Sequence, residues 1–131
     1  MLVDDDRHVL EYVKTVLLQA GFHVLSAHSG PAAVLVAKEA ARIDLLLSDV
    51  DMPEMSGPDL GQEMRKSRSD MRVMLMSGGP SGNLLVLNHG WAFIQKPFVP
   101  DRLVEMVKDV LAEKIQPQAS GQEFDTRKAN G

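Results

Sequence analysis

Six polar residues stand where they could do chemistry together: the acidic run Asp4-Asp5-Asp6, then Asp49, Ser77 and Lys96. Each follows a short apolar run. Met1-Leu2-Val3 leads into Asp4, Ile43–Leu47 and Ser48 into Asp49, Val73–Met76 into Ser77, and Trp91–Ile94 with Gln95 into Lys96. If those runs are parallel strands of one open sheet, their carboxyl ends share an edge, and ligands of such sheets bind at that edge. Carboxylates gathered there repel one another by roughly 4 kcal/mol per pair at ~4 Å and an effective dielectric of 20. A proton or a cation must settle them. Oxygen donors without histidine or cysteine suit Mg²⁺, which binds a few carboxylates and keeps several waters. A metal with open positions, a carboxylate, a hydroxyl and an ammonium make up a phosphoryl-transfer kit. The metal and Lys96 would neutralise phosphoryl oxygens, Ser77 would donate a hydrogen bond, and one carboxylate would attack phosphorus in line.

The elements that position these groups can be read from periodicity. Apolar runs at Met1–Val3, Phe22–Leu25, Ile43–Leu47, Val73–Met76 and Trp91–Ile94 read as five strands. Two of them, Ile43–Leu47 and Val73–Met76, lack alternation, as expected of strands covered on both faces. Val9, Leu10, Val13, Val16, Leu17 and Ala20 recur at helical spacing, with Asp6 as cap and Gly21 as terminator. Ser29 and Pro31 open a second helix through Ala32 to Ala41, and a third runs from after Gly57 to about Lys66. A short fourth helix is predicted to start late, near Asn83, because Gly78, Gly79, Pro80 and Gly82 crowd its beginning. Pro100 and Asp101 open the last helix, whose apolar face carries Leu103, Val107, Val110 and Leu111. Five β-α repeats predict a three-layer α/β domain over residues 1–114. The breaker cluster Gln116–Gly121 marks residues 115–131 as a flexible polar tail.

Four motifs in this order resemble the receiver domain of two-component response regulators. They are Val3-Asp4-Asp5-Asp6, the stretch Leu46–Gly57 around Ser48-Asp49-Val50-Asp51-Met52-Pro53, Met76-Ser77-Gly78, and Gln95-Lys96-Pro97-Phe98. The resemblance implies a flavodoxin-like fold with a parallel five-stranded sheet in the order 2-1-3-4-5, as in chemotaxis receivers. It implies that Asp49 is the phosphoacceptor, charged by a histidine kinase or phosphotransfer protein. Mg²⁺ would be held by Asp5 and Asp49, with Asp4 acting through water and Asp51 through its backbone carbonyl. Ser77 and Lys96 would contact the phosphoryl group. Phe93 matches the switch aromatic, and the Lys96–Pro97 peptide is expected to be cis. Output would pass to a partner protein through the fourth helix, fifth strand and fifth helix, and homodimers are possible in such a family.

Three features depart from the receiver pattern. Only Met1, Leu2 and Val3 precede the acidic run, which predicts either a start further upstream or a less stable domain. Lys96 lies 19 positions after Ser77, a shortened spacing similar to that of receivers in hybrid histidine kinases. Asp51 and Gly79 occupy the two positions that tune phosphate lifetime in the family.

Taken singly, each motif has a plainer meaning: a solvated acidic helix start, a loop-capping aspartate, a turn serine, a surface lysine. Phe93 fits plain core as well as a switch, Met74 and Met76 fit packing, and the four histidines lack metal-ligand spacing. Two other functions compete. Asp49-Val50-Asp51 also reads as the DxD signature of haloacid-dehalogenase-type phosphatases, but those place the nucleophile on the first strand and need an acidic pair after the lysine, where this chain has only helical Asp101 and Asp109. A docking module without phosphorylation is opposed by the intact set Asp4, Asp5, Asp49, Ser77 and Lys96. Composition bounds the rest. With 131 residues, 18 acidic against 14 basic and a net charge of −4, one domain fits, and a phosphate backbone is a poor partner. No cysteine is present, so a disulfide framework and thiolate chemistry are excluded. With no signal peptide and no apolar run near the ~20 residues of a membrane span, a cytoplasmic protein without nucleic-acid or membrane contacts is expected.

Overall fold

The computed structural model describes residues 1–79 and 90–112. The expected fourth helix near Asn83 and the tail 115–131 lie outside the described residues. Five parallel strands form one sheet in the order β2-β1-β3-β4-β5, the flavodoxin-like arrangement. They are β1 (Leu2–Val3), β2 (Ser26–Ala27), β3 (Leu45–Asp49), β4 (Arg72–Ser77) and β5 (Ala92–Gln95). Four helices accompany them among the described residues: α1 (Arg7–Gln19), α2 (Gly30–Lys38), α3 (Gly57–Arg65) and α4 (Pro100–Leu111). None of these helices is long and apolar enough to cross a membrane.

The period of two along the strands divides the core between two layers of helix. Val3, Leu46, Val73, Leu75 and Trp91 face α2 and α3 and meet Ala33, Ala37, Leu60 and Met64. Leu2, Leu47, Met74, Met76, Ala92 and Ile94 face the other way, onto Leu10, Val13, Leu17, Leu103, Val107 and Val110 of α1 and α4. Each of the Val, Leu, Ile and Met side chains among these contributes about 1.5–3 kcal/mol. Met74 and Met76 are core, as their shared strand face suggested. Trp91 reaches Gly61 of α3 so closely that a Cβ there would lie 3.0 Å from the indole ring.

The helix ends follow their sequence signals. The Asp6 carboxylate accepts from the amides of His8 and Val9, Ser29 Oγ from Ala32, and Ser56 Oγ from Asp59. At the far end of α1, Gly21 has a φ of +96°, and the amides of Gly21 and Phe22 donate to Leu18 and Leu17. That paired closure is the Schellman arrangement, and it requires the left-handed residue that glycine supplies. α2 stops at Lys38, short of the predicted Ala41.

One strand is displaced from its expectation. The apolar run Phe22–Leu25 was the expected second strand, but the ladder lies at Ser26 and Ala27, which pair with Leu2 and Val3. The cause is the length of β1. Positions 22–24 would have to pair with residues ahead of Met1, so the ladder forms only where β1 exists.

Candidate functional site

All the strands that carry the chemical residues end at one edge, and the short β1 still delivers its acids there. Asp4 is fully buried, Asp49 is 8% exposed, and Asp5 is exposed. Carboxylate oxygens of Asp4, Asp5 and Asp49 all lie within 4.8 Å of one another. β3 runs one residue ahead of β1 here, Val3 pairing with Ser48, so Asp4 and Asp49 come level at the ends of adjacent strands.

Lys96 closes the cluster from β5. Its Nζ donates to Asp4 Oδ2 at 3.0 Å and to Asp49 Oδ1 at 2.8 Å. Asp4 Oδ1 also accepts from the amide of Asp6 at 2.9 Å, so the buried carboxylate is bonded through both oxygens. Burial raises the pKa of Asp49, with Asp4 and Asp5 adding to the rise, while the bond from Lys96 opposes it. For Lys96, burial disfavours the ammonium, but the hydrogen bonds to Asp49 and Asp4 outweigh it and the net shift is upward. The ammonium is thus held charged between two carboxylates, one of them loaded against its own ionisation.

Ser77 ends β4 and is 1% exposed. Its Oγ accepts from the amide of Gly79 at 3.0 Å, and its carbonyl accepts from the amide of Lys96 at 2.8 Å. A hydroxyl that accepts one bond keeps its hydrogen to donate. The Lys96–Pro97 peptide is cis, as expected. Asp51 is exposed and stands outside the three-carboxylate cluster. Phe93, paired with Leu75, is half-buried and packs against the α2–α3 side of the core.

Two residues shape the site without having been assigned a role from the sequence. Ser48 is buried on the face opposite Asp49, and its hydroxyl donates to the carbonyl of Asp49 at 2.9 Å. Gly57 donates its amide to Val50 at 2.9 Å, and a Cβ on it would overlap the carbonyl oxygen of Asp49. The start of α3 therefore lies directly on the backbone of Asp49. The only signal in the sequence was a glycine immediately after the capping Ser56, which helix propensity alone does not favour.

Three carboxylates at this spacing, all hard oxygen donors, fit a small divalent cation such as Mg²⁺. An open parallel sheet in the order 2-1-3-4-5, with an acidic cluster, a buried hydroxyl and a bridging ammonium at one edge, defines a flavodoxin-like class of α/β domain. The model of the response regulator receiver domain matches residues 1–108, and the chain belongs to that family, the receivers of two-component signalling.

The transcriptional regulatory protein CpxR of Klebsiella pneumoniae is 35% identical over 113 residues, covering 85% of this chain and 48% of CpxR. The sensor kinase CckA of Brucella abortus is 32% identical over 118 residues, covering 87% of this chain and 12% of the kinase. The chain thus spans about half the length of one relative and a small part of the other. Among solved structures, a CheY-like receiver from Methanospirillum hungatei superposes with a TM-score of 0.78 at 30% identity, covering 86% of this chain and 92% of that one. The receiver domain of the hybrid histidine kinase CckA superposes with a TM-score of 0.72 at 34% identity, covering 84% and 95%.

Proposed function

We propose that this chain is a phosphoacceptor receiver in which Asp49 takes a phosphoryl group from a phosphohistidine of a histidine kinase or phosphotransfer protein. The observation that carries the reading is the pair of hydrogen bonds from Lys96 Nζ to Asp4 and Asp49 beside a third carboxylate. An Asp49 oxygen attacks phosphorus as the N–P bond of the donor breaks, and the departing imidazole keeps its electron pair. Lys96 then exchanges a carboxylate partner for a phosphoryl oxygen, at little cost because it is already desolvated and oriented. Ser77 supplies a hydrogen bond from the other side. Asp5 and Asp49 would hold Mg²⁺, with Asp4 through water and Asp51 through its carbonyl; the ion supplies neutralisation of phosphoryl charge.

The output is a population shift. Drawing Ser77 toward a phosphoryl oxygen biases Phe93 and the surface of β5 and the neighbouring helices toward a partner protein. On this reading residues 1–114 form the receiver and the chain assists only its own phosphorylation and dephosphorylation. The relatives named for transcriptional regulation and for a sensor kinase support a place in a phosphorelay.

The test is incubation with Mg²⁺ and acetyl phosphate or phosphoramidate, followed by intact mass. One base-labile phosphoryl adduct, absent from Asp49→Ala, is expected. No adduct favours a docking module, and turnover of phosphomonoesters favours a phosphatase.

A further inference from the structure

Among the described residues, the buried polar or charged ones are Asp4, Asp49, Ser77 and Ser48. Phosphoryl chemistry takes up the first three and leaves Ser48 unused. Leu46 and Val50, two positions before and after it, belong to the apolar layer that meets α2 and α3. Alternation along β3 puts Ser48 on the same side as Leu46. A hydroxyl sunk in such a layer costs free energy unless it is bonded. Ser48 spends its hydrogen on its own strand, Oγ donating to the carbonyl of Asp49 at 2.9 Å.

That bond falls where strand becomes loop. Asp49 is the last residue of β3, and its carbonyl belongs to the peptide that joins it to Val50. The next carbonyl, that of Val50, accepts from the amide of Gly57 at 2.9 Å, while the amide of Val50 donates to Met76 of β4 at 2.9 Å. Two successive carbonyls are thus held, one by Ser48 and one by the first residue of α3. The two holders adjoin. A Cβ on Gly57 would lie 3.2 Å from Ser48 Oγ and would overlap the Asp49 carbonyl as well. Asp51 follows directly, so the direction of its carbonyl is inherited from peptides that Ser48 and Gly57 fix.

We propose that Ser48 is a positioning residue for metal binding and phosphorylation. Its hydroxyl fixes the Asp49–Val50 peptide, and so sets how the Asp49 carboxylate and the Asp51 carbonyl face the acidic cluster. It touches neither the metal nor the phosphoryl group. The inference rests on the receiver reading, in which Asp49 and Asp51 serve Mg²⁺. Loss of a group that orients a metal ligand typically costs ~10–100-fold in metal affinity or activity.

The test compares the 131-residue chain with Ser48→Ala, Ser48→Thr and Ser48→Val. Threonine keeps the hydroxyl and valine has the shape of threonine without it, so that pair separates the hydrogen bond from packing. Mg²⁺ affinity is read from amide chemical shifts, and the phosphoryl adduct formed with acetyl phosphate from intact mass. Exchange of the Gly57 amide is followed in the metal-free chain, relative to amides of α4, which corrects for any change in global stability. Ser48→Ala and Ser48→Val are expected to weaken Mg²⁺ binding about tenfold and to speed Gly57 exchange relative to α4. Ser48→Thr should stay close to the unaltered chain in both. Equal Mg²⁺ affinity in all four chains, or a threonine variant as weak as the valine one, would overturn the proposal. An unaltered chain that binds Mg²⁺ and takes no adduct would instead contradict the receiver reading, and the affinities would still decide the role of Ser48. No Mg²⁺ binding by the unaltered chain would overturn both.

Discussion

The two ends of β1 solve opposite problems. At the carboxyl edge, charge is concentrated and bonded: Asp4 is fully buried, yet both of its oxygens have partners and Lys96 spans to Asp49. At the amino edge, a largely apolar groove of about 600 Å³ stands beside a desolvated amino group. One edge is charged and hydrogen-bonded; the other is apolar and open. The contrast teaches that the two ends of one strand are held by different forces, because what positions Asp4 is its place beside β3 and its bond to Lys96. Stability and site geometry therefore separate along one strand.

Removing Lys96 should break this contrast most severely. Lys96→Ala leaves Asp4 and Asp49 facing one another without their shared cation. A buried pair broken on one side costs about 3–5 kcal/mol, and the 23% exposure of the lysine side chain reduces this to about 2–4 kcal/mol. Chemical denaturation should report that loss, and added Mg²⁺ should restore part of it in the variant.

The amino edge predicts a pH dependence of its own. The Met1 amine has a pKa of about 6 folded and 8.0 as the free group, so between those values the unfolded chain binds more protons. Stability should therefore rise from pH 6 to pH 8, by up to ~2–3 kcal/mol, and the gain should vanish as pH falls through 6. Nα-acetylation should abolish that slope in urea melts recorded across the range. A slope unchanged by acetylation would assign it to other groups.

Gly57→Ala sharpens the comparison from the carboxyl edge. Its methyl must displace the carbonyl of Asp49, an overpacking of about 1–3 kcal/mol. Because that carbonyl belongs to the proposed acceptor, the rate of phosphorylation should fall together with Tm. Asp6→Ala is the smaller control. It removes the cap bonds to His8 and Val9 and should cost about 1 kcal/mol, while phosphorylation, measured by intact mass, stays at its original rate.

Most of the fold was legible because local signals and global topology agree. Asp6 and Ser29 cap the helices they were expected to cap, and Gly21 closes α1 in the left-handed conformation its position suggested. The strand-end rule brought Asp4, Asp5, Asp49, Ser77 and Lys96 to one edge, since a residue that ends a buried run in a parallel sheet has one place to go. What escaped was non-local. The apolar run Phe22–Leu25 carries strand propensity, but a ladder needs a neighbour, and β1 is too short to supply one. The contact of Gly57 with Asp49 depends on how closely α3 approaches β3, which no spacing encodes. Nor does the sequence mark Glu54, whose φ of 72° puts a non-glycine residue in the left-handed region within the loop between β3 and α3.

The central claim is that Asp49, among the five aspartates near this edge, is the one that accepts the phosphoryl group. Borohydride reduces an acyl phosphate to a primary alcohol and so marks the acceptor permanently. After phosphorylation with acetyl phosphate and Mg²⁺, peptide mass mapping of the reduced chain should place that alcohol at position 49. An alcohol at Asp4, Asp5, Asp6 or Asp51, or no alcohol at all, would contradict the account.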